Sequence, residues 1–158
     1  MFVQRKGIVV VEKKGPLFIL PWRCTFGCDF NCVHCTSAGK PAFSDEIGTE
    51  EAKKIVDQAY EFGSGFFGLT GGEALLRDDL FEIIEYTRKV GLNVSLISDG
   101  RLVDDKVFEK IVKNEVRVSV SIDGSEQVND LVRGRGSYAA GVSFIEKLSK
   151  ASLLHCLV

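Results

Sequence analysis

Residues 49–73 read TEEAKKIVDQAYEFGSGFFGLTGGE, and two periodicities meet in them. Ala52, Ile55, Val56, Ala59 and Phe62 recur at the spacing that lays apolar side chains along one side of a helix. Thr49 stands where an N-cap belongs, Glu50 and Glu51 suit the positive end of the helix dipole, and Gly63 offers a stop. Phe66 to Thr70 is then an apolar run of strand length, followed at once by Gly71-Gly72-Glu73. Helix, stop, buried strand and glycine loop in that order belong to a right-handed crossover between parallel strands.

The alternation extends both ways. After the Lys13-Lys14-Gly15-Pro16 turn signal, Leu17 to Trp22 reads as a buried strand, and Val94 to Ile97 and Val116 to Ile122 repeat the pattern. Between and beyond them lie three further helical stripes: Leu80, Ile83, Ile84 and Thr87, closed by Gly91; Val107, Ile111 and Val112; Val142, Ile145 and Leu148. About four βα units and the start of a fifth strand at Leu153 predict an α/β fold with a parallel sheet, either doubly wound or a partial (β/α) barrel. A closed eight-unit barrel needs about 250 residues, so 158 suffice only for an arc. The chain reads as one domain over residues 1–158, with 1–16 an extension able to supply a hairpin strand. In such a sheet the ligand sits at the C-terminal ends of the strands. The unusual loops cluster there: the cysteines after the first strand, Gly71-Gly72-Glu73 after the second, Ser98-Asp99-Gly100 after the third and Asp123-Gly124 after the fourth.

Composition narrows the partners. A chain that is 45% hydrophobic and 27% charged has the makings of a real core, and disorder is excluded. Twenty basic residues set against twenty-two acidic ones, with no dense basic run, give no footprint for nucleic acid. The longest apolar stretch, Leu17 to Leu20 with Trp22 beyond Pro21, is far short of the roughly 20 residues a bilayer span needs, so no membrane crossing is expected. Arg5 and Lys6 precede the apolar run Ile8 to Val11, but Glu12 ends it too soon for a signal peptide, leaving the cytoplasm as the default location. Five cysteines is an odd number, and Cys28, Cys32 and Cys35 fall within eight residues, which suits reduced thiolates holding a metal better than a disulfide framework.

Those three thiols, spaced four and then three residues apart, can wrap one small inorganic core. A 4Fe-4S cube held by four cysteines is coordinatively closed; one held by three leaves an iron open to a small molecule. Structural zinc wants four closed ligands and would recruit Cys24 or His34, but the extended run Cys-x3-Cys-x3-Cys-x2-Cys fits no familiar zinc spacing. His155 and Cys156 lie outside every motif.

The Cys-x3-Cys-x2-Cys run after the first strand resembles that of the radical S-adenosylmethionine (SAM) enzymes, which implies a partial (β/α) barrel, and the resemblance covers roughly Leu17 to Leu148. Trp22, Thr25-x2-Cys28 and the His34-Cys35 pair are similar to the branch that includes coenzyme PQQ synthesis proteins, alternative haem and haem d1 synthases and peptide maturases. Thr70-Gly71-Gly72-Glu73 with Leu75-Leu76-Arg77 resembles that branch's second motif, with Ala74 in place of the usual proline. The resemblance implies that Cys28, Cys32 and Cys35 hold a 4Fe-4S cluster whose open iron is chelated by SAM, and that an electron cleaves SAM to methionine and a 5'-deoxyadenosyl radical that abstracts a substrate hydrogen. Cys24 and Cys156 are then dispensable.

Around the cofactor, Gly71 and Gly72 are expected to let the backbone approach a ligand and adopt positive φ, and Glu73 to accept a hydrogen bond from the SAM amino group. By resemblance Ser121, in Ser121-Ile122-Asp123-Gly124, contacts the ribose, and Arg133 pairs with the SAM carboxylate through its planar guanidinium. His34 packs beside the adenine, and Ser98 stands where relatives have the threonine of Thr-Asn-Gly. Asn129-Asp130 replaces a His-Asp pair common in the family. A ferredoxin- or flavodoxin-like electron donor is implied. Because the family's barrel usually has six βα units, the resemblance further implies a C-terminally incomplete chain, whose open apolar sheet edge invites a homodimer or a completing chain.

Overall fold

The structure is a computed structural model that describes residues 2–5, 8–11 and 19–158. The Lys13 to Pro16 turn signal and the first two residues of the Leu17 to Trp22 strand lie outside them. Strands β1 (Phe2–Arg5) and β2 (Ile8–Val11) pair antiparallel as a two-stranded sheet, with Phe2 opposite Val11 and Arg5 opposite Ile8.

The larger sheet has five strands: β3 (Ile19–Thr25), β4 (Phe66–Gly71), β5 (Asn93–Ser98), β6 (Arg117–Val120) and β7 (Leu154–Leu157). They are all parallel and lie side by side in the order in which the chain makes them. A doubly wound sheet reverses its strand order at a switch point. No reversal occurs here, so the sheet is an arc of a barrel, one of the two architectures the pattern allows. The fifth strand expected to start at Leu153 is β7, which pairs with β6.

Helices α1 (Thr49–Phe62), α2 (Leu80–Val90), α3 (Asp105–Lys113), α4 (Glu126–Arg133) and α5 (Ser137–Lys150) connect the strands. The core lies between helices and sheet: Val56, Ile83, Ile84, Ile111, Phe144 and Leu148 pack with Phe67, Leu69, Val94, Leu96, Val118 and Val120. These strand residues alternate with Gly68, Ser95, Ile97 and Ser119, which the pleat turns to the opposite face. Ile97 there is 40% exposed. The strands thus bury one face in helices, while the other carries small or polar residues such as Gly68, Ser95 and Ser119 beside the partly exposed Ile97.

Several local expectations shift. Thr49 is the first helical residue rather than the N-cap; Gly48 caps α1, its amide donating to Glu51 Oε2, while the Thr49 hydroxyl donates to Asp79 Oδ2 at 2.8 Å. Gly63 and Gly91 close α1 and α2 in the left-handed conformation, φ 92° and 103°, as expected. Phe62 and Val112 turn out of their stripes to the surface, and Phe144 takes the core position on α5 beside Leu148. The fourth strand ends at Val120, so Ser121 and Ile122 belong to the loop.

Candidate functional site

The loop after β3 is closed by its own backbone. Cys28 N donates to Lys40 O at 2.8 Å and Gly39 N to Phe30 O at 2.7 Å, which folds the three thiols into one compact turn. Within it Cys35 N donates to Cys32 O at 3.0 Å, and Ser37 N reaches Cys35 Sγ at 3.4 Å. Glu46 caps the far side: Oε1 accepts from Phe26 N at 2.7 Å and Phe43 N at 3.1 Å. Against a burial penalty, these amide hydrogen bonds hold its carboxyl below the usual range.

Arg77, from the segment before α2, clasps both ends of this loop. Its Nη1 donates to Cys24 O at 2.6 Å and its Nη2 to Ile47 O at 3.1 Å, while Nε and Nη2 fork onto the Asp79 carboxylate at 2.8 and 2.7 Å. The planar guanidinium makes four hydrogen bonds at once, two to carbonyls and a fork onto both carboxylate oxygens, where an ammonium has only three donors.

Gly71 and Gly72 end β4 against the loop. A Cβ on Gly71 would lie 2.6 Å from Thr25 O, and one on Gly72 would lie 2.1 Å from Gly27 O and 2.9 Å from Cys28 Cβ. Neither has positive φ. Their lack of a side chain serves close packing of β4 on the cysteine loop, sealed by Gly72 N to Thr25 O and Glu73 N to Gly27 O, both 2.8 Å. The expectation of positive φ is corrected: the constraint on both glycines is space, and the atoms that impose it are main chain.

Glu73 is 4% exposed, its Oε1 accepting from Leu75 N at 3.0 Å and its Oε2 from Ser98 Oγ at 3.1 Å. Burial, with the Asp99 charge nearby, pushes its pKa up to about 7. Ser121 N donates to Ser98 O at 3.1 Å, holding the β6 loop beside the β5 loop. Arg133, at the end of α4, pairs with Asp123 through Nε and Nη2, and among the described residues its Nη1 makes no hydrogen bond. Asn129, where the family often has histidine, is fully buried and bridges Asp123 N (2.9 Å) to Ser137 Oγ (2.8 Å). Its neighbour Asp130 accepts from Gly136 N and Tyr138 N at the start of α5.

One cavity of about 150 Å³ collects these groups. Its wall includes Cys28, Cys32, Cys35 and His34 from the first loop, Gly71, Gly72 and Glu73 from the second, Ser98 from the third, Ser121 from the fourth and Arg133 from α4. Every residue singled out from the sequence as a cluster or SAM contact therefore lines one space at the C-terminal rim. Cys28 and Cys32 are buried, Cys35 and His34 exposed. Cys24, the candidate fourth zinc ligand, instead lies in the hydrophobic core, and burial pushes its thiol up to about 12. Sequence reasoning quoted Arg77, Asp99 and Asp123 within the rim motifs without giving them a role, and passed over Phe30 and Arg101; Phe30 and Asp99 are also on the wall. Asp99 and Asp123 carried a chemical signal, a carboxylate in the loop that follows a strand, whereas Phe30 and Arg101 carried none.

Five cysteines are free thiols, so no disulfide competes for the donor set. Among the described residues no three of His, Cys, Asp and Glu gather closely enough to hold a single metal ion. The donor chemistry fits an iron–sulfur cluster: three thiols of one loop share a wall with a buried carboxyl and an arginine. Burial raises the Cys28 thiol above its usual pKa, and a metal centre offsets that penalty by binding the thiolate.

A parallel barrel arc with a thiol-lined cavity at its ligand rim defines a class of α/β protein that holds an inorganic centre beside a small-molecule site. The chain belongs to the radical SAM superfamily, whose sequence profile matches residues 22–157. Members of that family are enzymes that use a 4Fe-4S cluster and SAM. The chain is 39% identical over 137 residues to the AdoMet-dependent heme synthase of Methanosarcina barkeri, covering 84% of this chain and 39% of that protein. It is 32% identical over 134 residues to the mycofactocin maturase MftC of Mycolicibacterium smegmatis, covering 84% and 34%. It thus spans less than two fifths of these curated relatives. Solved structures share its fold: AdoMet-bound anSMEcpe, with a TM-score of 0.71 at 24% identity over 90% of this chain and 43% of that one, and Streptococcus suis SuiB bound to S-adenosylmethionine, with 0.76 at 15% identity over 90% and 33%. Among the described residues no helix is long and apolar enough to cross a membrane.

Proposed function

We propose that this chain binds a 4Fe-4S cluster through Cys28, Cys32 and Cys35 and SAM in the adjoining cavity, and that it cleaves SAM reductively so that a substrate hydrogen is abstracted. The convergence of all ten candidate residues on one cavity carries the reading. When bound, the cluster supplies the single electron that splits the sulfonium of SAM into methionine and a 5'-deoxyadenosyl radical.

The chain's own residues do the rest. The cysteine loop, clasped by Arg77, presents its thiols as a unit. Glu73 offers an acceptor to the SAM amino group and Arg133 a donor to its carboxylate, so the cavity wall carries both the acidic and the basic group that a zwitterionic amino-acid moiety requires. Ser121 and Ser98 offer hydroxyls for the ribose, and His34 a ring for the adenine at the exposed mouth. The substrate falls within cofactor, tetrapyrrole or peptide modification, the chemistry that the names of the heme synthase and maturase relatives describe. A ferredoxin- or flavodoxin-like protein supplies the electron, in the cytoplasm.

The test is anaerobic reconstitution followed by iron and sulfide analysis and a dithionite-driven assay for 5'-deoxyadenosine. One cluster per chain, deoxyadenosine formation, and loss of both on Cys32→Ala are expected. Full iron in Cys32→Ala removes the ligand assignment. Iron and SAM bound without deoxyadenosine reduces the chain to a non-catalytic cofactor-binding domain.

A further inference from the structure

Three segments meet at the cavity rim, and one side chain with no role in the proposed chemistry touches them all. Arg101 follows the Ser98-Asp99-Gly100 turn after β5, where Gly100 sits at φ 86°. Its amide donates to Asp99 Oδ1 at 3.1 Å, and its Nε and Nη2 both donate to Asp99 Oδ2, the former at 2.7 Å. The two side chains are only 19% and 6% exposed, so the pair is largely shielded from water. Asp99 thereby aims the guanidinium. Its central carbon lies 3.3 Å from the centroid of the Phe30 ring, and Nη1 donates to the Arg133 carbonyl at 3.1 Å.

Phe30 stands between Cys28 and Cys32, and Arg133, from the end of α4, lines the same cavity. A backbone bond, Val33 N to Val132 O at 2.9 Å, joins the same two segments. α4 buries little else, Asn129 being its sole buried residue, so packing alone holds this helix end weakly. An arginine can bond through its edge while stacking through its face; a lysine cannot do both.

We propose that Arg101 is a positioning residue that latches the cysteine loop to the C-terminal end of α4, so that the thiols and Arg133 keep a fixed separation on the cavity wall. The consequence for ligand binding rests on the proposed function, since only a ligand touching both segments senses their separation. The latch itself does not.

Two readouts separate the two ideas. In the metal-free chain, amide hydrogen exchange at Val33 should quicken about 10-fold in Arg101→Ala and Arg101→Lys, while Leu96 in β5 and Val118 in β6 keep wild-type protection. Phe30→Leu, which removes the ring without touching Asp99, should do the same, and the Phe30→Leu/Arg101→Ala double variant should go little further because both remove one contact. In the reconstituted chain, Arg101→Ala should keep its iron yet bind SAM about 10-fold more weakly, equivalent to about 1.4 kcal/mol. Wild-type exchange at Val33 in Phe30→Leu and in a folded Arg101→Ala overturns the latch. Should Arg101→Ala lose core protection as well, Phe30→Leu alone decides. Faster Val33 exchange combined with a wild-type chain that binds no SAM upholds the latch and removes the proposed ligand instead.

Discussion

Glu73 shows how a single residue can be set against the stability of its own fold. Its carboxyl sits 4% exposed beside Asp99, and burial with that neighbouring charge lifts its pKa to about 7 from an ordinary 4.5. Below the unfolded value both states hold the proton. Between about 4.5 and 7 only the folded state does, so stability falls as pH rises through that window and levels off above it. At 1.36 kcal/mol per pH unit the loss is roughly 3 kcal/mol. Glu73→Gln should therefore flatten the dependence and melt higher than wild type above pH 7 in the metal-free chain, as thermal denaturation between pH 4.5 and 8 can check. The same variant should bind SAM some 10- to 150-fold more weakly, because a hydrogen bond to a charged group contributes about 1.5–3 kcal/mol. Parallel melting profiles for the two proteins would contradict the burial argument, and an unchanged SAM dissociation constant would take Glu73 out of the site.

At the scale of elements, the cysteine loop owes its shape to a neighbour far along the chain. Arg77 is 53 residues from Cys24 and 30 from Ile47, yet it holds both carbonyls and pairs with Asp79. Arg77→Ala leaves those acceptors to find other partners, at a cost of roughly 1–3 kcal/mol for each that stays buried and unpaired. In a protein of this length each kcal/mol lowers the melting temperature by about 2–4 °C. The loop should also open: Cys28, buried in the wild type, should react faster with a thiol reagent in the native state. Arg77→Lys, with its charge retained but its fork gone, should recover only part of the loss. A wild-type rate of Cys28 modification in Arg77→Ala would show that the loop's own bonds, Cys28 N to Lys40 O and Gly39 N to Phe30 O, hold it unaided. Helix α4 makes the complementary point. Val128 and Leu131 on it are exposed and Asn129 is buried, so its apolar residues mark no inward stripe and periodicity did not find it.

In the whole molecule, one apolar layer between the helices and the convex face of the sheet carries the rim loops. Ile84 on α2 is fully buried in that layer with Val56, Phe67 and Leu69. Ile84→Ala should cost about 2–5 kcal/mol through lost burial and the cavity left behind. Urea denaturation should show a lower midpoint at unchanged slope, because the surface exposed on unfolding hardly alters. At temperatures where the variant stays folded, SAM binding should match wild type, since the site hangs on the rim while the core only supports it. A loss of binding in the folded variant would mean that the core and the rim are coupled more tightly than their separation suggests.

What the sequence determined by itself is local: helix stripes closed by Gly63 and Gly91, short apolar strands, and a distinctive loop after each strand, because periodicity and residue chemistry operate over a few neighbours. Together with the resemblance to the radical SAM enzymes, these features named ten residues which share one cavity wall. Periodicity alone left the strand order open, since an arc and a doubly wound sheet draw on the same alternating units; the family resemblance implied the arc, and the side-by-side order β3-β4-β5-β6-β7 shows it. Likewise the glycines at 71 and 72 are required by main-chain atoms of Thr25 and Gly27, some 45 residues earlier. Arg133 spends two of its nitrogens on Asp123, and Arg77 and Arg101 clasp segments distant in the chain. Such contacts leave no periodic trace, because what selects each residue is an atom that folding alone brings near.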